Sequence, residues 1–304
     1  MVYSVSVIIP THNRKKTILR AIESAIVQTI VVSEIIIIDD GSTDNTHELD
    51  FPPHSNIKLI RNDKPLGGAV ARNQGAALAI SDYLAFLDSD DEWFPDHLKN
   101  SIYFLNKNNY SGVFSSFTIS YDNGLNQISP SFRNKFDNEN ILSYILTSGD
   151  GGDIRTSTMV FKRISFLEVK FDEQLKKYQD WDLAIRFDLR FGLKSINQRG
   201  AILHVSSDDR MSAKLNLEAT KLFFEKHENY FENRLKFVFF LKLAYKASLV
   251  ESRKSGAYNF SIDMAKKFIH FDKSLKNIIA LNILNLPFVN FAKFYFKFKR
   301  KLKR

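Results

Sequence analysis

EIIIIDDGSTDNT, residues 34–46, sets four consecutive isoleucines against two aspartates and a Gly-Ser turn. An unbroken run of β-branched apolar residues is the signature of a strand buried on both faces, and Asp-Asp-Gly-Ser at its carboxyl end marks an abrupt stop. The same design recurs on either side. Val5–Pro10 (VSVIIP) runs into Thr11-His12-Asn13-Arg14, Tyr83–Leu87 runs into Asp88-Ser89-Asp90-Asp91, and Asn56–Arg61 reads as a further strand. Between them, Thr17–Gln28 places Ile18, Ala21, Ile22, Ala25 and Ile26 on one helical face. Gly68–Ile80 is Ala-rich and helical, and Pro95–Asn106 reads as a helix with Pro in its first turn. This alternation predicts an α/β domain: a Rossmann-like, mainly parallel sheet flanked by helices, with ligands at the carboxyl ends of the strands. The polar clusters at Thr11–Arg14, Asp39–Asn45 and Asp88–Asp91 all fall at those ends.

Farther on, Val113–Tyr121 and Thr158–Phe161 read as strands, Gly149–Arg155 as a Gly/Asp-rich loop, and Asp180–Phe191 as a helix. From about Leu215 the chain reads as successive helices rich in Phe, Leu and Lys, so the expected division is a catalytic domain at 1–215 and a basic helical extension at 216–304. The charge divides the same way. The net +9 of the 304 residues is carried by residues 221–304, at +13, against −4 for residues 1–220. With no Cys, disulfides and thiolate metal sites are excluded, which suits a reducing cytoplasm. No signal peptide is expected, and the apolar runs Phe237–Leu243 and Ile278–Val289 are too short or too broken to predict a membrane span.

Each acidic cluster has a plain reading and a chemical one. Asp88-x-Asp90 in an extended segment points two hard carboxylates the same way, as Mg²⁺ or Mn²⁺ requires; the same residues serve as a solvated turn. Asp39–Asp44 reads as a turn with a Ser42 or Thr43 helix cap, or as a carboxylate site for a base N–H. Gln179-Asp180-Trp181-Asp182 opens a helix, either as a capping run or with Asp180 as a general base.

Taken together, SVIIPTHNR (6–14), IIIIDDGSTDNT (35–46), GGAVARNQG (67–75), FLDSDDEWFPDHL (86–98) and QDWDLAIR (179–186) closely resemble family 2 glycosyltransferases, in order and in spacing, over roughly residues 4–215. The resemblance implies a GT-A fold and an inverting, metal-dependent hexosyltransferase. Pro10, Thr11, His12, Asn13 and Arg14 would line the nucleotide pocket, Asp40 would bind the uracil, and Arg72 would buttress the diphosphate. Asp88 and Asp90 would hold Mn²⁺ or Mg²⁺ with Ser89 between them, and Asp180 would be the catalytic base. Asp91, Trp181, His204 and Arg210 are further candidates for diphosphate or acceptor contacts; Trp93 and Trp181 fit the core equally well. The family's Glu before the base is here Gln179. In its most specific form the resemblance implies β-1,3 transfer from UDP-glucose, or alternatively UDP-galactose, to a lipid-diphosphate-linked GlcNAc or GalNAc in O-antigen or capsule synthesis. The setting is the cytoplasmic face of the bacterial inner membrane.

Two other classes compete. A nucleotidyltransferase also needs a metal and an α/β nucleotide site, but it opens on a Gly-rich basic loop that is absent here. A nucleic-acid binder would rest on the basic tail alone and would leave the aligned carboxylates without a task, so no nucleic-acid partner is expected. The tail itself suits an anionic membrane surface. On a helix, Phe288, Phe291, Phe294, Tyr295, Phe298 and Leu302 would share one face and Lys293, Lys297, Arg300, Lys301 and Arg304 another, with no Asp or Glu after Asp272.

Overall fold

The structure, a computed structural model, describes residues 3–52, 56–121, 126–130, 132–148, 154–205, 216–250, 255–271 and 281. The chain forms two compact units, Met1–Ser207 and Asp208–Arg304.

The first unit is built on a nine-stranded sheet in the order β3-β2-β1-β4-β8-β6-β9-β5, with β7 paired to β6. Its parallel half consists of β1 (Val5–Thr11), β2 (Glu34–Asp39), β3 (Ile57–Arg61) and β4 (Tyr83–Phe86), joined by α1 (Ile18–Ile26) and α2 (Gly68–Leu78). These strands are the uninterrupted apolar runs, and β1, β2 and β4 are buried throughout. The other half is mixed. The two-residue β5 (Glu92–Trp93) and α3 (His97–Asn108) lead to β6 (Gly112–Tyr121), β7 (Asn126–Ile128) and α4 (Ile141–Thr147). Then come β8 (Met159–Lys162), α5 (Arg163–Val169), α6 (Gln179–Phe191) and β9 (Leu193–Val205). β8 runs antiparallel to both β4 and β6, whereas β9 is parallel to β6. The parallel pairing expected from the βαβ rhythm thus governs the first four strands, and the less regular middle of the chain extends the sheet beyond β4 with mixed parallel and antiparallel pairing.

Both faces of the sheet are covered. Ile18, Ala21, Ile22 and Ala25 of α1, with Leu98, Ile102 and Leu105 of α3, pack on Val5, Val7, Ile9, Ile35, Ile37 and Val113. On the opposite face an aromatic cluster seats α5 and α6: Phe86 lies 4.8 Å from Phe166, and Phe161 lies 4.6 Å from Phe187, between ring centres. Aromatic pairs at such spacings add about 0.5–1.5 kcal/mol each beyond the area they bury.

The second unit contains α7 (Leu217–His227), α8 (Asn233–Val250) and α9 (Gly256–Phe268). Its core is phenylalanine-rich: Phe224 meets Phe240 at 4.8 Å, and Phe240 meets Phe260 at 5.7 Å. Lys236 Nζ lies over the Phe224 and Phe268 rings, 5.8 and 5.5 Å from their centres, and pairs with Glu228 at 3.0 Å, so ring faces and a carboxylate together hold this largely buried ammonium. No helix among the described residues is long and apolar enough to cross a membrane. Gly149–Asp153, Arg210 and the segment 288–304 lie outside the described residues.

Candidate active site

The carboxyl ends of β2, β1 and β4 lie side by side, and the turns leaving them interlock. The Asp40 amide donates to the Thr11 carbonyl at 2.8 Å, and a His12 ring nitrogen bonds the Asp40 carbonyl at 2.8 Å. Asn13 is left-handed, with φ 53°; its amide donates to Ser42 Oγ, and its side-chain oxygen accepts from the Thr43 amide at 2.8 Å. Asp44 accepts from the Lys15 amide at 3.0 Å, and the Arg14 amide donates to Thr46 Oγ1. Asp39–Asp44 therefore caps no α-helix. Ser42, Thr43 and Asp44 bond the Thr11–Lys15 turn instead, and only a short 3-10 turn, Thr46–Glu48, follows.

The two aspartates of this turn differ in kind. The Asp39 carboxylate is fully buried, accepts from the Ser42 amide at 3.0 Å and faces Arg61 at 3.6 Å, a structural placement. Asp40 accepts from Asn62 Nδ2 and the Leu66 amide through Oδ1, and from the Gly67 amide at 2.7 Å through Oδ2. It thereby docks the lead-in to α2 onto the end of β2. Gly41 makes the approach feasible: its φ is +69°, and a Cβ there would meet the Lys64–Pro65 backbone at 2.8 Å. Oδ2 accepts from the Gly67 amide and has a lone pair to spare for a base N–H.

The Asp88–Asp91 turn is bound from three sides. Arg72 on α2 donates through Nη2 to Asp88 Oδ1 at 2.6 Å and through Nη1 to Gln179 Oε1 at 2.9 Å. Arg14 Nε stands 3.5 Å from Asp90 Oδ2. From behind, the Ser157 hydroxyl accepts from the Asp88 amide and donates to Asp91 Oδ2 at 2.6 Å, while the Ser157 carbonyl accepts from the Trp93 indole. The His204 amide donates to Asp91 Oδ1, and the His204 ring bonds Glu92 at 2.6 Å. Burial, reinforced by Asp90 and Asp88, raises the Asp91 carboxyl well above the ordinary carboxylate range; burial and Asp88 also raise Asp90.

The four residues of this turn thus divide by exposure. Ser89 and Asp91 face inward, whereas the side chains of Asp88 and Asp90 are 32% and 42% exposed. No set of three or more His, Cys, Asp or Glu among the described residues is arranged to cage a metal. Two open carboxylates are nevertheless the protein share of a Mg²⁺-type site whose other positions go to water and substrate phosphate. The donor set fits a hard cation completed by a diphosphate.

Asp180 lies in the first turn of α6, and Tyr178 before the helix is left-handed, with φ 63°. Its Oδ1 accepts from the Trp181 amide at 2.9 Å. Asp182, by contrast, is fully buried in an ion pair with Arg186 at 2.6 Å. Trp181 stacks beside Tyr178, whereas Trp93 is a core residue. Pro10 and Thr11 end β1, where Thr11 is buried.

Several participants have no individual signal in the sequence. A lone Ser157 before a short strand carries none. Asn62 was findable, because it is the polar residue just past the carboxyl end of β3, where the other clusters also fall.

Comparison with known proteins agrees with this architecture. The chain is 33% identical to the amylovoran biosynthesis glycosyltransferase AmsB of Erwinia amylovora, over 64% of this chain and 66% of that protein. It is 38% identical to the UDP-Glc:alpha-D-GlcNAc-diphosphoundecaprenol beta-1,3-glucosyltransferase WfgD of Escherichia coli, over 40% of this chain and 49% of that one. The chain thus spans about half to two thirds of the length of these relatives. Among solved structures, S. aureus TarS 1-349 in complex with UDP-GlcNAc superposes with a TM-score of 0.60 at 18% identity, covering 88% of this chain and 81% of that one. The fold is GT-A. Residues 6–165, more than half of the chain, match the model of glycosyl transferase family 2, and the chain belongs to that family.

Proposed function

We propose that this chain is an inverting hexosyltransferase that moves a hexose from a UDP-sugar to a lipid-diphosphate-linked GlcNAc or GalNAc during O-antigen or capsule synthesis. The most specific form of the proposal is UDP-glucose and a β-1,3 linkage, with UDP-galactose as the alternative donor. The observation that carries it is the reach of Arg72, which bonds both Asp88 and Gln179 and so brings the acidic turn and the Asp180 end of α6 to one carboxyl edge of the sheet. The acceptor class is supported by the activity for which WfgD is named, and the polysaccharide setting by the name of AmsB.

In this reading the interlocked Thr11–Arg14 and Asp40–Asp44 turns receive the nucleoside, and Asp40 accepts from the base. Asp88 and Asp90 would hold Mn²⁺ or Mg²⁺. The chemistry supplied by the bound ion is neutralisation of charge on the departing diphosphate. Asp180 takes the proton of the acceptor hydroxyl as its oxygen forms a bond to the anomeric carbon. The bond from that carbon to phosphate oxygen breaks, and UDP leaves. One displacement from the opposite face turns an α-linked donor into a β-linked product. His204 and Trp181 are proposed to border the diphosphate or the acceptor. The site of action is proposed to be the cytoplasmic face of the inner membrane.

The test is a panel of radiolabelled UDP-hexoses offered to a synthetic GlcNAc-diphospholipid with Mn²⁺, Mg²⁺ or EDTA, with NMR of the product. A β-linked disaccharide formed only with metal is expected. Retention of anomeric configuration, or full turnover in EDTA, overturns the corresponding part of the proposal. Uptake of nucleotidyl rather than glycosyl groups would favour the nucleotidyltransferase class.

A further inference from the structure

Gln179 is the neutral partner of Arg72 in a run of contacts that continues to Asp88. Its Nε2 donates to the Leu175 carbonyl at 2.7 Å, which fixes the amide so that Oε1 faces Arg72. Arg72 is only 12% exposed and lies with Cζ 5.3 Å from the centre of the Phe171 ring. Its other terminal nitrogen holds Asp88. A guanidinium clamped between a carboxylate and an amide differs from one shared by two carboxylates. The amide orients without neutralising, so among the described residues Asp88 alone pairs with the charge of Arg72.

We propose that Gln179 is a positioning residue that holds Arg72 in place while leaving its charge undivided, and thereby sets how Asp88 distributes itself between Arg72 and a divalent cation. The inference rests on the reading of Asp88 as part of a metal-diphosphate site. While no cation is present, Arg72 neutralises Asp88. Once Asp88 turns its charge to a cation, the guanidinium, still held by Gln179, has charge available for an anionic diphosphate. A carboxylate at position 179 would hold the guanidinium equally well and cancel that charge. The two halves of the site then respond in opposite directions: a cation is favoured by the added negative charge, and a nucleoside diphosphate is disfavoured.

The experiment compares the wild type with Gln179→Glu and Gln179→Met. UDP affinity in EDTA is measured by calorimetry, Mn²⁺ affinity without nucleotide by electron paramagnetic resonance, and the thermal midpoint serves as a control. Gln179→Glu is expected to weaken UDP about tenfold and to tighten Mn²⁺ several-fold, as an extra charge at partly screened distances implies. Gln179→Met keeps the charge but frees the guanidinium; kcat should fall with the donor KM little changed. A merely structural role would lower the thermal midpoint and would not tighten Mn²⁺. Gln179→Glu binding both ligands as the wild type does overturns the inference, as does Mn²⁺ bound no more tightly than by the wild type. Failure of wild-type protein to bind UDP at all overturns the donor reading instead, and the Mn²⁺ comparison still decides the role of Gln179.

Discussion

Asp180 and Asp182 stand two residues apart on α6 with opposite prospects, because their side chains meet different surroundings. Asp182 is buried against Arg186, whose guanidinium also ties down the Val169 and Lys170 carbonyls. Removing that carboxylate leaves an arginine without its main counter-charge. Asp182→Asn is expected to cost about 3–5 kcal/mol of stability, as broken buried ion pairs do, and denaturant unfolding would register it. Asp180 opens the helix and is only half-buried. Asp180→Asn should leave stability and UDP binding near wild type and lower kcat by about 10²-fold or more, the size of a lost general base. A rate within a few-fold of wild type would move the proton to another group. It would not move to Asp182, which has no face open to substrate. Spacing in the sequence does not separate these two aspartates; burial does.

At the scale of elements, β9 explains both a gap in what the sequence discloses and a weak point in the fold. The runs that become β1, β2 and β4 are legible because both faces are apolar. The pattern of β9, LKSINQRGAILHV, is not, because a register shift against β6 around Ser115–Phe117 breaks its alternation and exposes Asn197 and Arg199. The same obscurity hid the placement of His204 beside Glu92 and Asp91. Just past the irregularity, Gly200 passes so close to β6 and α3 that a Cβ would lie 2.0 Å from Ser115 Oγ and 2.3 Å from His97 Nδ1. Gly200→Ala is expected to destabilise by about 1–3 kcal/mol through overpacking, with Ser115→Ala in the same chain recovering part of the loss. Equal stability of Gly200→Ala and wild type would contradict this packing.

His97 gives the same junction of α3, β5 and β9 a pH signature. The ring is fully buried against Trp93, at 4.9 Å between ring centres, and both ring nitrogens lack hydrogen-bond partners. Burial pushes its pKa down to about 3. In the unfolded chain it takes up a proton near the ordinary value of about 6.5, so between these limits the unfolded state binds more protons. The contribution of a neutral His97 is therefore complete above about pH 6.5 and is lost progressively as the pH falls toward 3. Thermal midpoints measured down this range should fall less steeply in His97→Gln than in wild type. Parallel slopes would assign the acid sensitivity to other groups.

Over the whole molecule the charge is segregated, −4 in residues 1–220 and +13 in residues 221–304, which composition alone reveals. A uniformly basic chain would repel a divalent cation, whereas this division leaves the net negative charge with the part of the sequence that carries the candidate carboxylates. Seven Lys and Arg fall within residues 288–304 and no acid follows Asp272, so the end of the chain is the strongest local source of positive charge. Near an anionic bilayer each such residue contributes about 1 kcal/mol, falling off within a Debye length. A lipid-linked acceptor presents its sugar close to that same surface, which gives the proposed chemistry a use for surface attachment. The chain is expected to sediment with phosphatidylglycerol vesicles at low salt, to be released near 1 M salt, where the Debye length is about 3 Å, and to ignore phosphatidylcholine. Removal of residues 288–304 should abolish sedimentation and slow transfer to a long-chain acceptor more than to a short soluble one. Sedimentation unchanged by that truncation would rule out this segment as the attachment and turn attention to the cations of the helices before it, where Lys266 and Lys267 close α9.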